Sequence, residues 1–353
     1  MRGFASQAVI IFHFFAISAV LRTSWFANIP LSWNTGVDFF FVLSGFLLSI
    51  PFIQPGKQDP KSYYVRRAFR ILPVYYLSLA GAVFIFSRGA SIHQITLSLF
   101  FLQNFSPSTF DSINGVYWTL VIEEIFYATL PVFIYFFMKQ RWIYSLPICI
   151  AFSTSYRVIV YLHYFDDLHS LNFYLWQYPS YIEHYAIGAT LANLFVYGKI
   201  YARKYSSSKP LALTCALLIA TMYIMGSRYL VNGYDFPIAN IVMAWEYGGV
   251  LYFTLTSPLS SYLRSLFTNP VALFAGKVSY SAYVWHLPIE AFFIFTLKLP
   301  LLEWIAVSYF VSMSIAVLSY YYVEKPFLSF RNRFVKVKPE SKVEKIATPI
   351  TKN

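Results

Sequence analysis

The sequence predicts an all-α fold, a polytopic membrane helix bundle of about ten transmembrane helices, and three observations carry that prediction. Apolar stretches of the length a bilayer crossing needs, about 17 to 25 residues, recur along almost the whole chain. Of the 353 residues only 12% are charged, against 58% hydrophobic and 21% aromatic, and the mean hydropathy is +0.54. The basic residues fall between the apolar stretches and in the C-terminal tail, with no motif that reads bases, so the net charge of +12 reports topology and not nucleic acid. No room is left for a sizeable soluble domain. The expected organisation is one membrane-embedded domain over 1–330 and a basic, flexible cytoplasmic tail over 331–353.

Ten spans are predicted at 4–22, 36–54, 73–90, 116–138, 142–161, 178–198, 210–227, 237–256, 272–297 and 300–323. An even number puts both termini on one side. The segments sharing the tail's side hold twenty of the 27 Lys and Arg, while the opposite side has Arg22, Arg88, Arg228 and Lys298 together with Asp111, Asp166, Asp167 and Asp235. The positive-inside rule therefore places both termini in the cytoplasm. Segment 91–105 is apolar but too short to span, and is expected to be re-entrant or interfacial. The first apolar run has a single Arg before it and no small-residue cleavage site after it, so it reads as a retained span and not a signal peptide. Cys149 and Cys215 lie inside apolar spans and form neither a disulfide framework nor a CxxC spacing.

Arg2 and His13 open the chain's chemistry. Eleven residues at about 100° each return His13 to within roughly 20° of Arg2 and separate them by roughly 16 Å along the axis. One sits at the rim and the other near mid-bilayer, where an imidazole either faces a cavity or hydrogen-bonds a neighbouring helix as packing glue.

The segment Ser62 to Pro73 follows the breaker run Gln54-Pro55-Gly56-Lys57. Arg67 and Arg70 are neighbours on one helical face, with Val65, Phe69 and Leu72 turned largely away, so a helix lying at the inner membrane surface is expected. The arginines suit attraction to anionic lipid or bidentate binding of phosphate, and the pattern alone leaves both open.

Charge recurs inside the apolar spans. Asp38 sits near the start of Gly36 to Leu48, Glu123 and Glu124 are adjacent in Trp118 to Tyr127, and His286 closes Ser279 to His286. Adjacent helical residues point about 100° apart, so Glu123 and Glu124 cannot share one site. With Glu183, His184, Glu246, Glu290 and Glu303 also in or near spans, a polar cavity is expected, since a purely structural bundle does not need so many ionisable groups. Other patterns are weak. His163, Asp166, Asp167 and His169 read as a solvated loop and not a metal site, and Ser44 lacks the GxSxG elbow of a nucleophile. No Walker motif, GxGxxG or long repeat is present. Trp25, Trp33 and Trp176 in outer loops suit sugar stacking, but the aromatic belt of a membrane protein explains them equally.

These residues, taken in order, resemble the motifs of acyltransferase family 3, multi-pass bacterial O-acyltransferases. Arg2 to His13 is similar to R-x10-H, Gly36 to Leu48 to G-D-x-F-F-x-x-S-G-F, and Arg67 to Arg70 to R-x-x-R. Trp118 to Tyr127 is similar to W-S-L-x-x-E-x-x-F-Y with Thr119 for Ser, Ser279 to His286 to S-Y-x-x-Y-x-x-H, and Tyr322 to Phe327 to the late V-E-x-P element. The resemblance implies a ten-helix fold, no tightly bound cofactor, and transfer of an acyl group, acetyl in the first instance, from cytoplasmic acyl-CoA to a hydroxyl of a cell-surface polysaccharide or lipid-linked sugar. It implies His13 as catalytic base with Arg2 at the inner mouth, Arg67 and Arg70 as ligands of the CoA phosphates, and Asp38, Ser44, Trp118, Glu123 and His286 as cavity or supporting residues. Met1 stands directly before Arg2 where the family has further residues, one of them acidic; a start set too late, or a fragment with a fraying Arg2, is the expectation. The stand-alone form, without an outer esterase domain, is also expected. The rival readings are an ion-coupled transporter, which also keeps ionisable groups inside a bundle, and a catalytically silent relative that binds glycan.

Overall fold

The computed structural model describes residues 1–54, 58–86, 89–139, 141–198, 207–232, 239–257 and 260–334, and among them the secondary structure is helical with no strand. A helix occupies each of the ten predicted segments. In chain order they are α1 (Arg2–Ile17), α2 (Gly36–Ile53), α3 (Pro60–Gly81), α4 (Tyr117–Val132), α5 (Trp142–Tyr164), α6 (Ile182–Val196), α7 (Lys209–Asn232), α8 (Ala239–Thr256), α9 (Pro270–Ala291) and α10 (Leu301–Ser319). Six helical stretches among the described residues, including those built on α2, α3, α4, α5, α7 and α10, are long and apolar enough to cross a membrane.

The bundle carries its polar groups inside and its apolar ones outside, as a lipid solvent requires. Ile148, Phe152, Ile159 and Leu162 of α5 and Leu213, Leu217, Ile219 and Ile224 of α7 are exposed, while Ser279, Ser281, His286 and Glu290 of α9 are buried. Helix α2 packs most extensively on α6 and also touches α1, α4 and α8; α9 is flanked by α1 and α10. The α2–α6 crossing is close because Gly45 and Gly188 face one another's backbones. A Cβ on Gly188 would collide with the Val42 carbonyl oxygen, and one on Gly45 would lie 2.5 Å from that of Tyr185. Small residues at such crossings let membrane helices approach without a hydrophobic driving force.

Three expectations change at the level of elements. The first apolar run does not continue to residue 22: α1 stops at Ile17, and Ser18 adopts an extended backbone whose hydroxyl accepts from the Leu21 backbone N–H at 3.3 Å, capping the turn Ala19–Arg22. Serine's short hydroxyl competes with the helix for backbone partners, which breaks the run. The arginine segment is not a separate surface helix. It is the first half of α3, which starts at the Asp59 cap, with Pro60 at its first position, and runs on through Pro73. Proline inside a membrane helix is tolerated when neighbours satisfy the freed backbone, and α2, α4, α5 and α9 each contain one as well. Finally, the described chain continues to Phe334, past the boundary expected at residue 330. A short helix α11 (Lys325–Phe330) and a turn at Arg331–Arg333 pack on α3, where Phe69 meets Phe327, Phe330 and Phe334 with ring centroids 6.3, 6.1 and 5.6 Å away.

Segment 91–105 contains an eight-residue helix, Ile92–Leu99, with a Ser91–Gln94 capping box, and then a turn through Phe101 at φ 58°. Eight residues rise only about 12 Å, too short for a crossing. Lys57, Arg88, Lys199, Arg203, Lys204, Asp235 and the tail beyond Phe334 lie outside the described residues.

Candidate active site

Two cavities meet inside the bundle. One, of about 70 Å³, is lined by Arg2, Arg67, Arg70, Glu123, Tyr127 and Tyr280, among others, and is here termed the arginine chamber. The other, of about 190 Å³, includes His13, Asp38, Asn172, Trp118, Trp176 and Tyr181 in its wall and is termed the tryptophan chamber. Val37 and Tyr283 line both, so these two side chains belong to the partition. The Tyr283 hydroxyl is fixed by Thr119 Oγ1 at 2.8 Å, which gives the Thr119 hydroxyl of the tryptophan motif a structural use.

Helix α1 does what its spacing predicts: Arg2 enters the arginine chamber and His13, eleven residues on, reaches the tryptophan chamber. Arg2 is the first helical residue and is half-buried, not frayed.

The hydrogen bonds around His13 assign its tautomer. His286 Nδ1 lies 2.7 Å from the Tyr283 carbonyl and 3.3 Å from that of Ala282. Carbonyls only accept, so His286 Nδ1 carries the proton and its Nε2 is a bare acceptor. That Nε2 stands 3.1 Å from His13 Nδ1, which is also 2.9 Å from the Val9 carbonyl. Both partners need a donor, so His13 holds its proton on Nδ1 and leaves the Nε2 lone pair free. A free Nε2 in a polar chamber is what a general base requires.

The remaining predicted residues come together around this axis. Glu123 accepts a hydrogen bond from Ser44 at 3.0 Å and one from the Tyr127 hydroxyl. Glu124 is absent from the wall of either chamber, as the 100° between neighbours demands. Trp118 stacks on Trp176, centroids 4.9 Å apart and planes at 15°, in the wall of the tryptophan chamber. Trp25, by contrast, is almost fully exposed at 91%.

Arg67 and Arg70 differ. Arg70 forms an ion pair with buried Glu324 at 2.5 Å, and Ser281 donates to the other Glu324 oxygen at 3.0 Å. The V-E-x-P element thus tethers α3 and α9 together. Arg67 stacks its guanidinium over the Tyr127 ring at 5.7 Å, and its Nε is buried without a partner among the described residues.

One network escaped the pattern reading. Asp38, in the chamber wall, is 2.7 Å from His184 Nε2; His184 Nδ1 is 3.8 Å from Glu183, which pairs with Arg157 at 2.6 Å. Arg157, Glu183 and His184 are at most 1% exposed. The only signal for it was an arginine in one apolar span and a Glu-His pair in the next. Asp167, from the loop set of His163 and His169, caps the helix Leu168–Leu175, and no group of three or more metal-ligating side chains exists among the described residues.

A helical, multi-pass membrane protein whose interior holds a guanidinium-lined chamber next to an aromatic one with a histidine in its wall has groups that suit acyl transfer. The comparisons agree: a family model described as an acyltransferase domain matches residues 1–322, and the chain belongs to acyltransferase family 3. A provisionally named acetyltransferase of Acidianus two-tailed virus is 27% identical over 300 residues, covering 82% of each chain. A provisionally named O-acetyltransferase of Staphylococcus aureus (strain COL) is 24% identical over 93% of this chain and 56% of its own length. A provisionally named peptidoglycan O-acetyltransferase of Bacillus subtilis (strain 168) is 27% identical over 94% of this chain and 55% of its own. The chain thus spans about half the length of these two bacterial relatives. No solved structure gives a significant match. Family membership makes the chain an acyltransferase and displaces the transporter reading.

Proposed function

We propose that this protein is an integral membrane O-acyltransferase that moves an acyl group, acetyl by preference, from cytoplasmic acyl-CoA to a hydroxyl of a cell-surface polysaccharide or lipid-linked sugar. The observation that carries the reading is His13, with its free Nε2, in the wall of the tryptophan chamber, which shares Val37 and Tyr283 with the arginine chamber. The donor enters from the arginine side, which the charge distribution assigns to the cytoplasm in a bacterial cell membrane. Arg67, Arg70 and Arg2 offer the fork geometry that phosphate oxygens accept bidentately. The acceptor occupies the tryptophan chamber, whose stacked indoles and amides suit the apolar face and hydroxyls of a sugar ring; the printed name of the Bacillus relative points to peptidoglycan as one such glycan.

In the reaction, His13 Nε2 takes the acceptor's hydroxyl proton while that oxygen attacks the thioester carbonyl. The tetrahedral intermediate collapses to the ester, the C–S bond breaks, and His13 returns the proton to the departing thiolate. His286 holds His13 in the competent tautomer through both steps and accepts from the imidazolium. Val37 and Tyr283, which line both chambers, flank the way of the thioester to His13. The test is transfer of label from radioactive acetyl-CoA to glycan by purified protein in lipid vesicles. Transfer by the wild type and its loss in folded His13→Ala are expected, by about 10²- to 10⁴-fold for removal of a general base. Undiminished turnover in that variant overturns the assignment; binding of glycan with no turnover in the wild type marks the silent-relative alternative.

A further inference from the structure

The segment after the last span packs a further arginine against the turn of α3 that carries Arg67 and Arg70. The three phenylalanines Phe327, Phe330 and Phe334 hold this segment against Phe69 of α3, in the same helical turn as Arg67 and Arg70. The ion pair of Arg70 with Glu324, the residue before α11, fixes it from the other end. Between these anchors Arg331 is half-buried and within electrostatic reach of both Arg67 and Arg70, and its Nη2 donates only to the neighbouring Asn332 side chain, at 3.3 Å.

Three guanidiniums therefore converge from two separate segments, and Glu324 neutralises one of them. Among the described residues neither Arg67 nor Arg331 makes an ion pair. Like charges gathered this way repel one another, and an anion of more than one charge offsets that repulsion. Arg2, Arg67 and Arg70 line the chamber itself; Arg331 is not part of that lining and follows directly on Phe330, which packs against Phe69 between the two chamber arginines.

We propose that Arg331 is a donor-binding residue that engages the outermost phosphate of acyl-CoA, the 3′-phosphate on the adenosine ribose. The assignment rests on the reading of acyl-CoA as donor. In that molecule the thioester lies at one end, the diphosphate midway and the 3′-phosphate at the other end. With the thioester directed toward His13, the chamber arginines meet the diphosphate and Arg331, beyond the lining, meets the ribose phosphate. The headgroup of an anionic lipid presents the same chemistry, and the test separates the two.

Wild type, Arg331→Ala and Arg331→Lys are reconstituted in vesicles of phosphatidylcholine with and without phosphatidylglycerol, and KM and kcat are measured with acetyl-CoA and with its 3′-dephospho analogue. Arg331→Ala should raise the KM for acetyl-CoA about tenfold or more, the scale of one charge-assisted hydrogen bond, with kcat unchanged. The same substitution should leave the KM for the dephospho donor unaltered, with Arg331→Lys between the two and no dependence on phosphatidylglycerol. An equal effect on both donors, no effect on either, or an effect present only with phosphatidylglycerol overturns the assignment. A wild type that uses acetyl-CoA while Arg331→Ala behaves identically ends this proposal alone; a wild type that does not use acetyl-CoA ends the donor reading and this with it.

Discussion

His286 lies 273 residues from His13, yet its Nε2 stands 3.1 Å from His13 Nδ1 and fixes which nitrogen of His13 carries the proton. His286→Ala removes the acceptor that keeps the His13 proton on Nδ1; it should lower kcat by about 10²-fold with little change in donor KM, a split that simple unfolding does not give. His286→Gln should recover part of the loss, because its side-chain oxygen can accept from Nδ1. Arg157 supports a different argument. Replacing it with Met leaves buried Glu183 without its guanidinium partner, with His184 at 3.8 Å, at a cost of about 3–5 kcal/mol, whereas Arg157→Met combined with Glu183→Leu should recover most of that stability. Thermal unfolding in detergent measures both. The spacing of Arg2 and His13 was legible in the sequence because helical periodicity is local. The pairing of His13 with His286, and of Arg157 with Glu183, was not, because each is set by how separate helices pack.

At the scale of elements, α2 and α6 carry the most sensitive contact. Gly188→Leu places a side chain against the backbone of Val42, Gly45 and Phe46, so the crossing must open; overpacking of this kind costs about 1–3 kcal/mol or more. Because α2 holds Asp38 and α6 holds His184, the 2.7 Å contact between them should part with the helices, and acyl transfer should fall along with stability. Activity equal to wild type in a folded Gly188→Leu protein would contradict this. The helices themselves were readable from length and hydropathy, and their ends less so. Ser18 and Pro73 show why: a serine that caps stops an apolar run which composition would continue, and a proline inside a bilayer does not stop a helix as it does in water. The wall of the tryptophan chamber drew on Asn172 and Trp176, from a short helix between spans, where no periodicity marked them.

For the molecule as a whole, the contacts of α11 and Phe334 with α3 set how much of the chain transfer needs. A chain stopped after Lys338 keeps Phe327, Phe330, Phe334 and Arg331, and should retain transfer close to wild type. One stopped after Glu324 loses the phenylalanine contacts to α3 and should lose donor binding; label transfer by the two truncated proteins compares them directly. Sidedness is open to the same kind of check, since cysteine labelling at Lys139 should succeed only from the cytoplasm under the positive-inside assignment. Tyr283 and Val37, finally, hold more than the boundary between two reactants. A cell lives on the ion gradients across its envelope, and a continuous water path through this enzyme would short-circuit them. On the proposed route, one small group passes a point lined by a phenol ring and a valine, which would export chemistry without exporting current.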